Sequence, residues 1–122
     1  MFDISRDNNI QVVRGDSIDF VLFINGGTEL QPFQYELQEG DEVFFALMEV
    51  HQLFENAILK KVFTKDSLFT EDGNLIINLT SGDTENLHEG LYKYTVKLKL
   101  ANNMGPVIIR TLVPEHDFYI VN

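Results

Sequence analysis

The chain has no cysteine, so neither a disulfide framework nor a thiolate zinc site is available, and redox chemistry does not fix a compartment. It has no tryptophan either, the side chain that sugar-binding modules most often present as a platform. Positive charge is scarce: 9 lysines and arginines stand against 19 aspartates and glutamates, for a formal net charge of −10. A nucleic-acid polyanion repels such a surface, which argues against nucleic acid as a partner. No apolar run approaches the ~20 residues of a membrane-spanning helix. The acidic start MFDISRDNN is not a signal peptide, so a soluble chain made without Sec-type export is expected.

What is there points to a packed core. Apolar residues make up 44% of the chain, with 10 Phe and 4 Tyr among its 122 residues, enough to exclude disorder and to fill one domain over 1–122. No internal repeat, linker or low-complexity tract suggests a second domain.

The stretch Leu75–Leu100 organises the rest. From Tyr92 to Leu100 the sequence alternates: Tyr92, Tyr94, Val96, Leu98 and Leu100 share one face, and Lys93, Thr95, Lys97 and Lys99 share the other. That period of two marks a half-buried antiparallel strand, with the lysines on its solvent face. Before it, Thr80, Ser81 and Asp83 can cap a short helical turn near 81–88, and Thr80-x-x-Asp83 is close to a capping box. Gly90 supplies the positive φ that would close the turn. Leu87 would plug the end of the core, and Leu87-x-x-Gly90-x-Tyr92 has the spacing of a tyrosine corner, in which the phenol bonds back to nearby backbone. Strand, helical turn, glycine corner and long strand are how a Greek-key β-sandwich carries its chain between sheets.

The other segments fit that plan. Phe2–Ile4 and 10–14 read as a first strand interrupted by Arg6-Asp7-Asn8-Asn9. The run 17–24 reads as a central strand, 42–50 as a core strand, and 58–64 as an edge strand blunted by Lys60-Lys61. Segments 75–79, 92–100, 107–113 and 117–121 complete an all-β fold of about seven to eight antiparallel strands. Asn102-Asn103-Met104-Gly105 is the best hairpin turn, Pro106 opens a strand, and Pro114-Glu115-His116 breaks it. Residues 25–39 form a loop whose Pro32, Phe33, Tyr35 and Leu37 are expected to fold back over the sandwich. Residues 51–57 read equally as loop or bulged edge.

Chemistry is harder to find. His51, His88 and His116 are far apart in sequence and form no local ligand pair, so no metal site is expected. Asp16, Asp41 and Asp83 lack calcium-loop spacing and have sufficient work as turn or cap residues. Ser17, Ser67 and Ser81 lack a G-x-S-x-G frame, and P-loop and G-x-G-x-x-G motifs are absent. A non-enzyme without metal or cofactor is the expectation, leaving binding or assembly.

Three motifs carry a resemblance. Gly15-Asp16-Ser17 before an apolar strand, Tyr35-x-Leu37-x-x-Gly40-Asp41-x-Val43, and Leu79-Thr80-x-x-Asp83-Thr84-x-x-Leu87-x-x-Gly90-x-Tyr92-x-Tyr94 resemble the small Ig-like domains of tailed-phage and prophage structural proteins, nearest to the N-terminal domain of baseplate upper proteins. The resemblance spans about residues 10 to 121. It implies an Ig-like sandwich acting without catalysis as a tail or baseplate docking subunit, in the virion or in the host cytoplasm during assembly. The implied partners are other virion proteins or further copies of the chain. The matched residues Thr80, Asp83, Leu87, Gly90 and Tyr92 are architectural, so no functional residue transfers. At 122 residues, without a coiled-coil or receptor-binding extension, a stand-alone subunit or one domain of a longer protein is expected. The alternative is a carbohydrate- or peptide-binding module using Phe33 and Tyr35 as a platform. Exposure of those aromatics around a concave surface would favour it, and burial would favour assembly.

Overall fold

Alternation forces a strand to choose a face, and here it buries Tyr92, Tyr94, Val96 and Leu98 while Lys93, Lys97 and Lys99 stay partly exposed. The computed structural model describes residues 2–4, 9–28, 30–101 and 107–122. Along the chain run β1 (Phe2–Ile4), β2 (Ile10–Val13), β3 (Ile18–Leu22), β4 (Glu42–Glu49), a 3-10 turn (Phe54–Asn56), β5 (Leu59–Phe63), β6 (Leu75–Leu79), α1 (Ser81–Glu85), β7 (Gly90–Leu100) and β8 (Ile108–Val121). The architecture is mostly β. One sheet has the order β1-β2-β8-β7-β4-β5, and a second consists of β3 and β6.

The two sheets close on one apolar cluster, to which the small sheet gives Ile18, Leu75, Ile77 and Leu79. At its centre four rings meet across the sheets. Phe20 of β3 lies edge-on to Phe45 of β4 at 6.0 Å, Phe45 stacks on Tyr94 of β7 at 5.7 Å, and Tyr94 meets Phe118 of β8 at 6.0 Å. Offset and edge-to-face pairs of this kind add to what their burial contributes. Burial pushes the Tyr94 hydroxyl up to about 12.

Several expectations need correction. The segments 107–113 and 117–121 are one strand, β8, because β7 runs alongside without a break. The register between them shifts twice, between the pairs Tyr94–His116 and Val96–Val113 and again before Lys97–Thr111, so β8 takes up extra residues around Pro114. A bulge is where a sheet tolerates proline, since the extra residue need not donate to the ladder. The bulge also explains Thr95. Alternation assigns it to solvent, yet it is 1% exposed and its hydroxyl donates to the Val113 carbonyl at 2.7 Å.

The 17–24 run is not central. Among the described residues β3 has β6 as its one ladder partner, and Val21 is 56% and Phe23 48% exposed. β1 and β2 are two strands paired antiparallel rather than one interrupted strand. Antiparallel pairing also fails at one seam, where β2 lies parallel to β8 with Ile10 opposite Phe118 and Val13 opposite Val121. The helical turn ends at Asn86, well before Gly90. Gly90, at φ 149, instead opens β7.

The ambiguous 51–57 segment is a loop with a 3-10 turn. Its Phe54 ring meets Phe44 edge-on at 6.5 Å, and the ammonium groups of Lys60 and Lys97 sit 4.4 and 4.8 Å from its centroid. Lys60 thus lies on edge strand β5 with an aromatic partner. The turn 102–105, Pro106 and residues 6–8 lie outside the described residues. No helix among the described residues is long and apolar enough to cross a membrane.

Candidate functional site

Two regions carry the residues singled out above: the corner between β6 and β7, and the segment between β3 and β4. At the corner, Thr80 caps α1. Its hydroxyl accepts from the Asp83 amide at 3.2 Å, while the Asp83 carboxylate accepts from the Thr80 amide at 2.8 Å. That carboxylate also receives the Lys61 ammonium at 2.8 Å. Burial pushes the Asp83 carboxyl up, but Lys61 and the Thr80 amide outweigh it and hold it below the ordinary range. Thr84, fully buried, accepts from the Gly15 amide at 3.0 Å and donates to the Asp16 carbonyl at 2.7 Å, tying the helix to the β2–β3 turn. Leu87 packs against the core cluster. The Tyr92 hydroxyl donates to the His88 carbonyl at 2.7 Å. Every one of these contacts is architectural.

The 25–39 segment is more than a loop folded back. Tyr35 donates its amide to Ile24 at 2.8 Å, Gly26 to Phe33 at 2.8 Å and Thr28 to Gln31 at 3.2 Å, so the chain makes a narrow arm. The Asn25 carboxamide oxygen accepts from the Gly27 and Phe33 amides and pins the base. Glycine is required at 27, where a Cβ would run into the Gln31 backbone carbonyl, and at 26 it makes room for the Phe33 ring, which a Cβ would meet at 2.6 Å. Leu37 is buried as expected, but Phe33 is 58% exposed, and Leu30, which drew no attention in the sequence, is 95% exposed.

Tyr35 does not join Phe33 as a platform. Half-buried, it donates its hydroxyl to Asp41 at 2.5 Å. Asp41 also accepts from the Gln38 amide at 2.9 Å and the Ala101 amide at 2.7 Å, fastening the arm's return to the end of β7. Burial pushes the Asp41 carboxyl up, yet the Ala101 amide, the Tyr35 hydroxyl and the Gln38 amide together hold it below the ordinary range. Burial and that carboxylate raise the Tyr35 hydroxyl to about 12. The Gly40-Asp41 dipeptide signalled a turn, and Gly40 does adopt φ 87. The hub role of Asp41 was illegible, because backbone amides leave no mark in a sequence and the donor that ties it to β7, the Ala101 amide, lies 60 residues away.

Three open cavities flank these regions. One of about 610 Å³ lies between the arm's return and the 65–73 turn, lined by Gln34, Leu37, Lys65 and Phe69 among others. A second, about 380 Å³, sits at the corner beside Glu49, Asp83, His88 and Tyr92. The third, about 280 Å³, lies at the base of the arm, where Ile24 and Tyr35 face Leu98, Leu100, Arg110 and Leu112 of β7 and β8. Neither the first nor the third is lined by a histidine, and the second has one. His51 is exposed after β4, and His116 lies against the Tyr94 ring. Among the described residues no group of three or more His, Asp or Glu is placed to hold a metal ion. Comparison with protein-family models, characterised proteins and solved structures finds no significant match to this chain.

Proposed function

We propose that the chain is a non-catalytic, Ig-like Greek-key module that works through protein–protein contacts, as a docking or assembly subunit of a phage or prophage tail or baseplate. Strand order supports the Ig-like part. β3 and β6 pair in one sheet, β4 and β7 become neighbours in the other, and the Tyr92 hydroxyl bonds back across the corner between β6 and β7. The phage assignment rests on the motif resemblance alone.

The observation that carries the contact role is the arm. Its backbone is tied by its own hydrogen bonds, its base is fixed to the core through Tyr35 and Asp41, and it holds Leu30 and Phe33 in solvent. A hydrogen-bonded arm that presents Leu30 and Phe33 on one short segment groups apolar surface, and grouped exposed apolar surface is what marks contact sites. The carbohydrate- or peptide-platform alternative loses support, since Tyr35 is half-buried and committed to Asp41 and so does not stand beside Phe33 as a second exposed ring.

The test is co-expression with the products of adjacent genes, followed by size-exclusion chromatography. Co-elution in a discrete complex is expected. Selective binding on a glycan array, with no complex formed, would replace this reading with the platform one.

A further inference from the structure

We infer that Asn25 is a latent modification site. It is the asparagine of this chain most disposed to lose its side-chain ammonia, and the arm's own hydrogen bonds hold the reaction off, so conversion follows arm opening and then keeps the arm open. The inference does not depend on the assembly reading.

The chemistry starts from a dipeptide. Asn25-Gly26 is the only place in the chain where glycine follows asparagine. Without a Cβ, glycine leaves its amide nitrogen open to the side chain before it and lets the backbone turn to meet it. The Gly26 nitrogen gives its proton to solvent base and attacks Cγ of Asn25. A bond forms between them, the Cγ–Nδ2 bond breaks, and Nδ2 takes up a proton and departs as ammonia, leaving a five-membered imide. Water then adds at one of the two imide carbonyls. Opening at Cγ yields aspartate; opening at the backbone carbonyl yields isoaspartate, whose main chain runs through the side chain and is one methylene longer. The balance is asparagine plus water giving a carboxyl group and ammonia, with nothing oxidised or reduced.

The folded arm works against each step. Gly26, the nucleophile, donates its N–H to the Phe33 carbonyl at 2.8 Å. The Asn25 carboxamide is pinned at both ends: Oδ1 accepts from the Gly27 amide at 2.8 Å and the Phe33 amide at 3.3 Å, and Nδ2 donates to the Thr28 carbonyl at 3.4 Å. The imide has neither a hydrogen on the Gly26 nitrogen nor an Nδ2. The Phe33 and Thr28 carbonyls therefore lose these donors as the ring closes, and the closed arm disfavours it. Reaction is left to molecules whose arm is open, a fraction set by local rather than global stability.

The isoaspartate product does not fit back. Asn25 faces Gln34 in an antiparallel bridge, flanked by the backbone bonds from Tyr35 to Ile24 and from Gly26 to Phe33. An extra methylene between Ile24 and Gly26 puts these two bonds out of step. Conversion is thus a one-way loss of the geometry that presents Leu30 and Phe33.

The experiment follows Asn25 in the intact chain by digestion and mass spectrometry over time at mildly alkaline pH, folded in buffer and unfolded in urea. Conversion in urea should outrun that in buffer about tenfold or more. Tyr35→Phe removes the hydroxyl that fastens the arm's return to Asp41. It should speed conversion in buffer about threefold or more and leave the rate in urea unchanged. Tyr92→Phe is the control, since it weakens the corner at the opposite end of β7 from the arm's base and should leave both rates unchanged. The isoaspartate fraction, separated by chromatography, should exchange its Gly26 and Tyr35 amide hydrogens faster than the starting chain. Absence of conversion in urea would overturn the site, and equal conversion in buffer and urea would overturn the guarding. Failure of Tyr35→Phe to accelerate conversion, or an acceleration as large by Tyr92→Phe, would overturn arm opening as the route. Unchanged amide exchange in the isoaspartate fraction would overturn the loss of the closed arm.

Discussion

A carboxylate with 2% of its surface exposed stays ionised only where donors replace the water it has lost, and Asp41 has three of them. Its depressed carboxyl, with that of Asp83, sets the acid limb of stability. Both groups hold protons less tightly folded than unfolded. Their contribution is complete above the ordinary value of 3.8 and is lost as pH falls through the lower folded values. Urea midpoints measured from pH 6 to pH 2 should therefore decline mainly below pH ~4. Tyr35 works in the other direction. Raised from 10.0 to about 12, it adds stability in full below pH 10 that disappears as pH climbs through 12. Removing one hydroxyl at the corner, Tyr92→Phe, should cost about 1 kcal/mol in urea unfolding, because the His88 carbonyl loses its donor.

At the level of elements, α1 is five residues long and too short to persist without its cap. Thr80→Ala, read in the same unfolding assay, should cost about 1 kcal/mol. Local chemistry made this helix legible: the cap Thr80 and the acid Asp83 lie three residues apart, and the corner tyrosine follows on the next strand. The strands were legible where the period of two was unbroken, as in β7. They were misjudged where a non-local partner decided the outcome. Pro114 looked like a break because its effect on a ladder depends on the neighbouring strand, and the run containing Phe20 looked central because bulk does not reveal how many strands a sheet has. β8 leaves a further mark. Its ladder with β2 covers 118–121, so 108–113 presents an edge unpaired by any described strand, with Ile109 exposed on it. Edges of this kind promote association through backbone pairing. Ile109→Lys should slow thermal aggregation, followed by light scattering, and leave the unfolding midpoint within about 0.5 kcal/mol of the starting chain.

For the whole molecule, charge is the dominant quantity. With a net charge of −10 on 122 residues, self-repulsion opposes the compact state, and screening relieves it. Thermal unfolding midpoints should rise between ~10 mM and ~150 mM salt, although the exposed ion pairs of Lys65 and Lys99 are weakened by the same screening. The core could be read from composition and alternation, since it follows from which residues avoid water. The arm and its cleft could not, because Leu30 and Arg110 are unremarkable letters until the backbone puts one in solvent and the other beside open leucines.

The parallel seam between β2 and β8 bears on how the molecule answers force. Ile10 lies opposite Phe118 and Val13 opposite Val121, so a pull between the start of β2 and the end of β8 acts along both strands in opposite senses. The load then falls as shear on every rung of that seam together, whereas an antiparallel hairpin pulled at its open end gives way one rung at a time. Tension applied between residues 10 and 121 meets the seam in its stiffest direction.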